Sequence, residues 1–457
     1  MSTLIPIAVP LRTLDDAMAW LAAQTNYERS TDWSYQRLGF HLDAYRDYLA
    51  INGHPERQLP PTVHVAGTKG KGSTCLMLEA IFRARGLRTG VYLSPHLESV
   101  TERIRIDGAP VSDDRFAGLL EALRPSLEAF RDAVRPITFF EIVTTMALRA
   151  FIDEGVDVAI LEVGLGGRLD ATNVVDADVA VVTHIGLDHT DKLGNTLPEI
   201  AREKAGIAKP GRDLVIGPMP DAATLAAVHE VAGALQPPPR MHAAPATMRE
   251  GGNLCIGELR VPLPDRPPMT DSNVACALLA AELLGERNPA VRLSDRAAAL
   301  QAAVSARLPA RLEPFAVGDG VTVILDSAHN ADSFRAVHAW CAGHDARPVL
   351  LLGMNRDKVT ADCLRALPDA WRVVLTTIPG ARAATAAELL AAWPADRPLA
   401  AERVESIDAP PAALQRAIAL ARAADAPADG RRIVVATGSV YLAGALRPLL
   451  RVAGGIS

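Results

Sequence analysis

The residues best suited to chemistry begin at Thr62. Residues 62–74 read TVHVAGTKGKGST: an apolar run, glycines at Gly67, Gly70 and Gly72, Lys71 between the last two, then Ser73 and Thr74. Glycines let the backbone curl so that several N–H groups face one anion. A helix starting there adds its partial positive end, and Lys71 adds a full charge. The pattern points to a phosphate. It is not the strict G-x-x-x-x-G-K-[ST] loop, because Val65 stands at the first glycine position and Gly72 separates Lys71 from Ser73. A glycine-rich turn that merely caps a helix is the alternative.

Three further stretches carry titratable groups. An apolar run ends at Glu162, followed by VGLGGRLD; an acid at the carboxyl end of a strand beside a phosphate loop is placed to hold a metal or its water. A capping or hairpin acid is the alternative. The next apolar run ends THIGLDHT, with His184, Asp188 and His189. Adjacent strands of one sheet would bring Glu162 and His189 together. Lys204, in PEIAREKAGIAKPG, reads from its spacing as a solvated helix lysine.

The elements that must position these groups alternate along the chain. Strands are expected at 62–66, 89–93, 157–162, 178–184, 213–217, 322–326, 348–352, 372–376 and 432–436. Amphipathic helices are expected at 72–85, 113–123, 139–153, 197–206, 271–284, 331–341 and 410–423. That alternation means βαβ units and a parallel sheet covered on both faces. The fold class is therefore α/β. A P-loop-type parallel-sheet domain with a small β excursion spans 1–305, and a C-terminal Rossmann-like α/β domain spans 306–457. The excursion is a hairpin of 253–256 and 258–261 around Gly257, within the proline-punctuated stretch 236–268. Residues 424–431 read as a surface loop.

Composition removes several function classes. Among 457 residues, 47 Lys and Arg face 53 Asp and Glu, and aromatics make up 4%. The basic footprint and stacking platforms of a nucleic-acid binder are missing. Five scattered cysteines contain no C-x-x-C pair, which argues for free thiols rather than disulfides or structural zinc. The N-terminal ten residues lack the basic start of a signal peptide, and no run approaches a membrane span. A cytoplasmic protein without a membrane or nucleic-acid partner is expected.

Taken together, the motifs resemble the folylpolyglutamate synthase/dihydrofolate synthase family of the Mur ligase superfamily. The resemblance rests on HVAGTKGKGST at 64–74, YLSPHLESVTERIRIDG at 92–108, LEVGLGGRLDATN at 161–173 and THIGLDHTDKLGNTLPEIAREKAGI at 183–207. RLEPF at 311–315, LDSAHNADS at 325–333 and the N-terminal YERSTDWSYQRLGFHLDAYRDYL add to it. They occur in the family's order over nearly the whole chain.

The resemblance implies an ATP-dependent ligase that joins L-glutamate to the carboxylate of dihydropteroate or a reduced folate through an acyl phosphate. It assigns the ATP phosphates to Gly67, Thr68, Lys69, Gly70, Lys71, Gly72 and Ser73. Further ATP contacts, from across a cleft, fall on Asn273, Arg311, Asp326 and His329. It assigns one magnesium ion to Ser94 and Glu162, and a second metal position to His189 and Lys204, the lysine as a carbamate. Catalysis is thereby carried by Lys71, Lys204 and His189. Pterin contacts fall on Thr138, Phe139, Phe140 and Glu141, and on Leu169, Asp170 and Ala171. A monovalent cation joins ATP and magnesium as cofactor, and the family suggests a monomer that closes around ATP near 300–312.

The chain departs from the family at Lys69, where Asn is usual, and at Ser327 and Ala331, both small replacements. The rivals are another Mur-type amide ligase, a P-loop motor or GTPase, and a non-catalytic folate- or nucleotide-binding module. The S-P-H and G-L-G-G-R-L-D-A-T-N stretches speak against the first. The second would have no need of the C-terminal βαβ series.

Overall fold

The computed structural model describes residues 10–26, 42–263, 270–344, 346–397, 400–423 and 432–453. Part of the N-terminal family-like segment, 27–41, and the expected loop 424–431 lie outside them. The chain divides into two units. Among the described residues, one runs to Ala306 without Leu97–Ser99; the other holds that segment and the residues from Arg307 on.

The first unit is built on strands β1 (Thr62–Ala66), β2 (Thr89–Tyr92), β3 (Ile104–Ile106), β4 (Ala109–Pro110), β5 (Val158–Glu162), β6 (Val179–Val182), β7 (Asp213–Ile216) and β8 (Arg240–Ala243). Their order is β4-β3-β2-β5-β1-β6-β7-β8. From β2 to β8 every pair is parallel, and β3 and β4 turn back antiparallel at one edge. All residues of β1, β5 and β6 are buried. That explains the apolar runs of β5 and β6 and the mostly apolar β1, since helices cover both faces of such a strand. Deleting one of these side chains, as in Ile160→Ala, should cost about 2–5 kcal/mol.

This order corrects one expectation. β5 and β6 are not neighbours; β1 lies between them and pairs with both. The phosphate-loop strand is thus central, with the Glu162 strand on one side and the strand leading to His189 on the other. The β excursion holds the expected hairpin but is larger, with one more strand before it. β9 (Met248–Glu250), β10 (Asn253–Ile256) and β11 (Leu259–Pro262) form a three-stranded antiparallel sheet. β9 escapes a sequence reading because all three of its residues are exposed and no apolar alternation marks it.

The second unit carries β12 (Glu313–Ala316), β13 (Val321–Leu325), β14 (Val349–Leu352), β15 (Arg372–Leu375), β16 (Val404–Ser406) and β17 (Arg432–Thr437). Their order is β12-β13-β17-β14-β15-β16, parallel except for the β12 edge. Glu98 belongs to this unit and pairs with Arg447 at 2.6 Å.

Candidate active site

In the first unit the candidate groups gather beyond the carboxyl ends of β1, β2, β5 and β6, where ligands bind in open parallel sheets. The loop after β1 is clipped to the end of β6. Thr68 N donates to His184 O at 2.7 Å, the Thr68 hydroxyl to Gly186 O at 3.1 Å, and the Thr183 hydroxyl to Lys69 O at 2.6 Å. Gly67 has φ +154°, and a Cβ there would lie 1.9 Å from Thr183 Oγ1. Gly70 has φ +86°, and a Cβ there would lie 2.2 Å from Asn273 Oδ1. Both positions require glycine for conformation and for space. Lys71 opens the helix Lys71–Ala84, and its Nζ donates back to Gly67 O at 3.2 Å. Ser73 lies in that helix's first turn.

Asn273 therefore sits against the phosphate loop inside the first unit, rather than with Arg311, Asp326 and His329. Helix Asp271–Arg287 buries it. Thr183 was missed altogether, although its place before the strand-end histidine marks it as a loop clip.

Glu162 ends β5 and is buried. Its Oε2 accepts from Ser94 N at 2.9 Å. Ser94 follows β2, the strand that pairs with β5, so these two oxygen-bearing residues share one corner. A Cβ on Gly72 would lie 3.3 Å from Glu162 Oε2, so the helix N-terminus closes on the acid. Carboxylate and hydroxyl are hard donors. A site with one or two of them, open to phosphate oxygens and water, fits magnesium. Among the described residues, no group of three or more His, Cys, Asp or Glu side chains forms a metal cluster.

His189 lies on the opposite flank of β1. It has φ +49°, precedes the short helix Thr190–Leu193, and its side chain is 46% exposed. Asp188 beside it is more enclosed, with Oδ1 4.0 Å from His189 Nε2.

Lys204 overturns the solvated-helix expectation. It is 4% exposed, on the face of helix Leu197–Ala205 that also buries Ile200, Ala201 and Ala205. Spacing i, i+4 from Ile200 was the available signal. Burial pushes its amine down to about 7, and the Lys71 charge pushes the same way; Asp188, Asp170 and Glu203 oppose. The Lys204 side-chain amine has no hydrogen-bond or ion-pair partner among the described residues, unlike that of Lys209, whose Nζ donates to Asn173 O and Oδ1 at 2.9 Å. The glycine loop after β5 is laid against the end of the Lys204 helix. Arg168 N donates to Glu203 O at 2.8 Å, and a Cβ on Gly167 would lie 2.7 Å from that carbonyl.

The expected pterin residues divide into two groups. Thr138 and Glu141 form a capping box at helix Phe139–Asp153, and Glu141 also pairs with Arg135 at 2.8 Å. Phe139 is buried under the Arg103 guanidinium. Phe140 is half-buried, 5.8 Å from the Tyr92 ring, and its Cζ would lie 2.5 Å from a Cβ on Gly164. Asp170 Oδ2 would lie 3.2 Å from that same Cβ. Phe140 and Asp170 therefore meet around Gly164. Leu169 is half-buried and Ala171 buried.

In the second unit, Asp326 directly follows β13. Its Oδ2 accepts from Leu312 N at 2.9 Å and its Oδ1 from Ala328 N at 2.8 Å. Burial raises its pKa, against the Arg311 charge. Arg311 is exposed, and His329 Nδ1 lies 3.0 Å from Ser327 O.

Two family models match this chain, the Mur ligase middle domain over residues 65–221 and the Mur ligase glutamate ligase domain over residues 310–439. A dihydrofolate synthase/folylpolyglutamate synthase of Mycobacterium tuberculosis is 32% identical over 451 residues, covering 91% of each chain. A probable bifunctional folylpolyglutamate synthase/dihydropteroate synthase of Halobacterium salinarum is 37% identical over 337 residues; the match covers 70% of this chain and 40% of that longer protein. Among solved structures, the bifunctional folylpolyglutamate synthase/dihydrofolate synthase of Yersinia pestis, complexed with AMPPNP and Mn ion, superposes with a TM-score of 0.78 at 30% identity. It covers 97% of this chain and 99% of that one. The chain belongs to the folylpolyglutamate synthase/dihydrofolate synthase family of the Mur ligase superfamily.

Proposed function

We propose that this chain carries out the ATP-dependent ligation of L-glutamate to a pterin or folate carboxylate, acting as a folylpolyglutamate synthase and also as a dihydrofolate synthase. The observation that carries the reading is the buried Lys204 amine, felt by the Lys71 charge and packed under the glycine loop that follows Glu162. A carboxylate is a poor electrophile until ATP phosphorylates it. The glutamate amine then attacks the acyl phosphate, the tetrahedral intermediate collapses, and phosphate leaves with ADP as co-product. Such a transfer needs charge neutralisation and alignment more than covalent help from the protein.

Lys71 and the N–H groups of residues 67–73 would receive the phosphates, and the Asn273 amide, packed on Gly70, would hold the loop's shape. Ser94 and Glu162 would hold one magnesium ion; His189 and the Lys204 carbamate would hold a second. Such ions neutralise phosphate charge. A lysine whose amine is neutral near pH 7 can add carbon dioxide, losing one proton as the carbamate forms. Phe140 and Asp170, meeting at Gly164, would face the pterin. We further assign a monovalent cation as cofactor, a cytoplasmic location and a monomeric state. No helix among the described residues is long and apolar enough to cross a membrane.

The test is phosphate release with MgATP, L-glutamate and a monovalent cation, run separately with dihydropteroate and tetrahydrofolate, with products identified by mass. Turnover with both establishes the bifunctional enzyme, and turnover with one narrows it. No turnover with either, in folded protein, rejects the folate reading in favour of another Mur-type amide ligase.

A further inference from the structure

β1 carries an imidazole where an apolar side chain would be expected. His64 is fully buried, paired in register with Leu161 and Ala180. Its Nε2 lies 2.8 Å from Thr172 Oγ1, and its Nδ1 has no partner among the described residues. A buried nitrogen left unpaired is a cost that valine or leucine would not carry, and it calls for an explanation. Burial pushes His64 down to about 3, so the ring is neutral and carries a single N–H.

The direction of the hydrogen bonds follows from the acceptors. Asp170 takes Leu165 N on Oδ2 at 2.9 Å and Thr172 N on Oδ1 at 3.0 Å. The Thr172 hydroxyl also donates to Asp170 Oδ1. A hydroxyl has one hydrogen, so toward His64 it can only accept. The ring must be the Nε2–H tautomer. A directed chain then runs from β1 through Thr172 to Asp170, and from Asp170 to the backbone of the glycine loop after Glu162.

We propose that His64 is a positioning residue for the ligation: through the Thr172 hydroxyl it fixes the Asp170 carboxylate, and so sets the Gly164–Leu165 backbone and the Phe140 face relative to the phosphate loop that begins three residues further along the chain. The proposal rests on the folate-ligase reading. Its own content is that the chain governs pterin-substrate placement rather than ATP binding.

The test combines kinetics with imidazole spectroscopy on the full chain. His64→Phe and Thr172→Val are expected to raise KM for the pterin substrate that wild type turns over about tenfold, with KM for ATP unchanged. The double variant should be no worse than either single one, because both cut one chain. His64→Gln keeps a donor near the Nε2 position and Thr172→Ser keeps the hydroxyl; both should stay within about threefold of wild type. In protein labelled with nitrogen-15 histidine, His64 should show the Nε2–H tautomer, and Thr172→Val should shift its Nε2 resonance. An Nδ1–H tautomer, multiplied losses in the double variant, or an unchanged pterin KM in Thr172→Val overturns the proposal. If His64→Phe does not fold, the near-isosteric Thr172→Val carries the kinetic arm. If wild type ligates no folate, the parent reading fails, while the tautomer and its response to Thr172→Val still decide the hydrogen-bond chain.

Discussion

The two parallel sheets treat the charges at their carboxyl ends in opposite ways. In the second unit, Asp326 directly follows β13, with each oxygen on a backbone amide, Leu312 N and Ala328 N. It braces the turn into β12, and its charge is used up locally. In the first unit, Lys204 is just as deeply buried but its side-chain amine has no hydrogen-bond partner among the described residues, and the Lys71 charge adds to the burial that makes that amine easy to neutralise. A strand-end carboxylate by itself does not identify chemistry. A lysine placed where burial and a neighbouring positive charge both disfavour its protonated form is a stronger sign.

The sharpest way to break this comparison is to change Lys204. Lys204→Ala is expected to lose about a hundredfold or more in ligase turnover. Lys204→Arg keeps a cation but cannot form a carbamate, and bicarbonate should not rescue it. A fully active Lys204→Arg would sink the carbamate role and make Lys204 a structural lysine after all.

The next largest effect belongs to the phosphate loop. Gly70→Ala would place a methyl group 2.2 Å from Asn273 Oδ1, at a residue with φ +86°. We expect ATP affinity to fall about a hundredfold, through loop distortion rather than charge loss. Adding Asn273→Ala removes the clash but not the backbone strain. Isothermal titration should therefore show a partial recovery. Complete recovery would mean that only crowding, and not the left-handed backbone, fixes the loop.

Much of this arrangement was legible from the chain. The strand–glycine–helix run at 62–74 and the acid at Glu162 announce themselves by spacing, because phosphate loops need particular backbone conformations that glycine supplies. The central strands followed from apolar runs buried on both faces, whereas the helix expected at 113–123 continues to Ala133 and helices Ala222–Gly233 and Val440–Ala453 were not anticipated. Two features were not legible. Strand order is a long-range property, so the separation of β5 from β6 by β1 leaves no local mark. Lys204 looks solvated because helix composition averages over the helix, whereas burial depends on which face the glycine loop covers. Thr138 and Glu141, which the resemblance assigns to a pterin site, also form a capping box, and that spacing was readable as a T-x-x-E helix start.

Asp326→Ala tests the other side of the comparison. Two buried amides, Leu312 N and Ala328 N, would lose their acceptor. A net loss of about 2 kcal/mol of stability is expected, read as a lower urea midpoint at unchanged slope. If stability held while nucleotide binding vanished, Asp326 would be a ligand-binding acid rather than a brace, and the contrast between the two sheets would weaken.

The smallest effect is the most direct on Lys204. Its folded-state pKa is depressed from 10.5 to about 7, chiefly by burial. Below pH 7 the amine is protonated in both folded and unfolded chains, so the full cost of burying the charge is present and little neutral amine exists to take up carbon dioxide. Between about 7 and 10.5 the unfolded chain holds a proton that the folded chain has released, so stability should rise with pH across that window. The neutral fraction in the folded protein should rise about tenfold from pH 6 to pH 8. Carbon-13 bicarbonate added to the protein should then give a carbamate resonance that grows over this interval and is absent in Lys204→Arg. A signal that appears only above pH 10 would mean that the amine keeps an ordinary lysine pKa despite its burial, and the distinction drawn between the two sheets would have to rest on geometry alone.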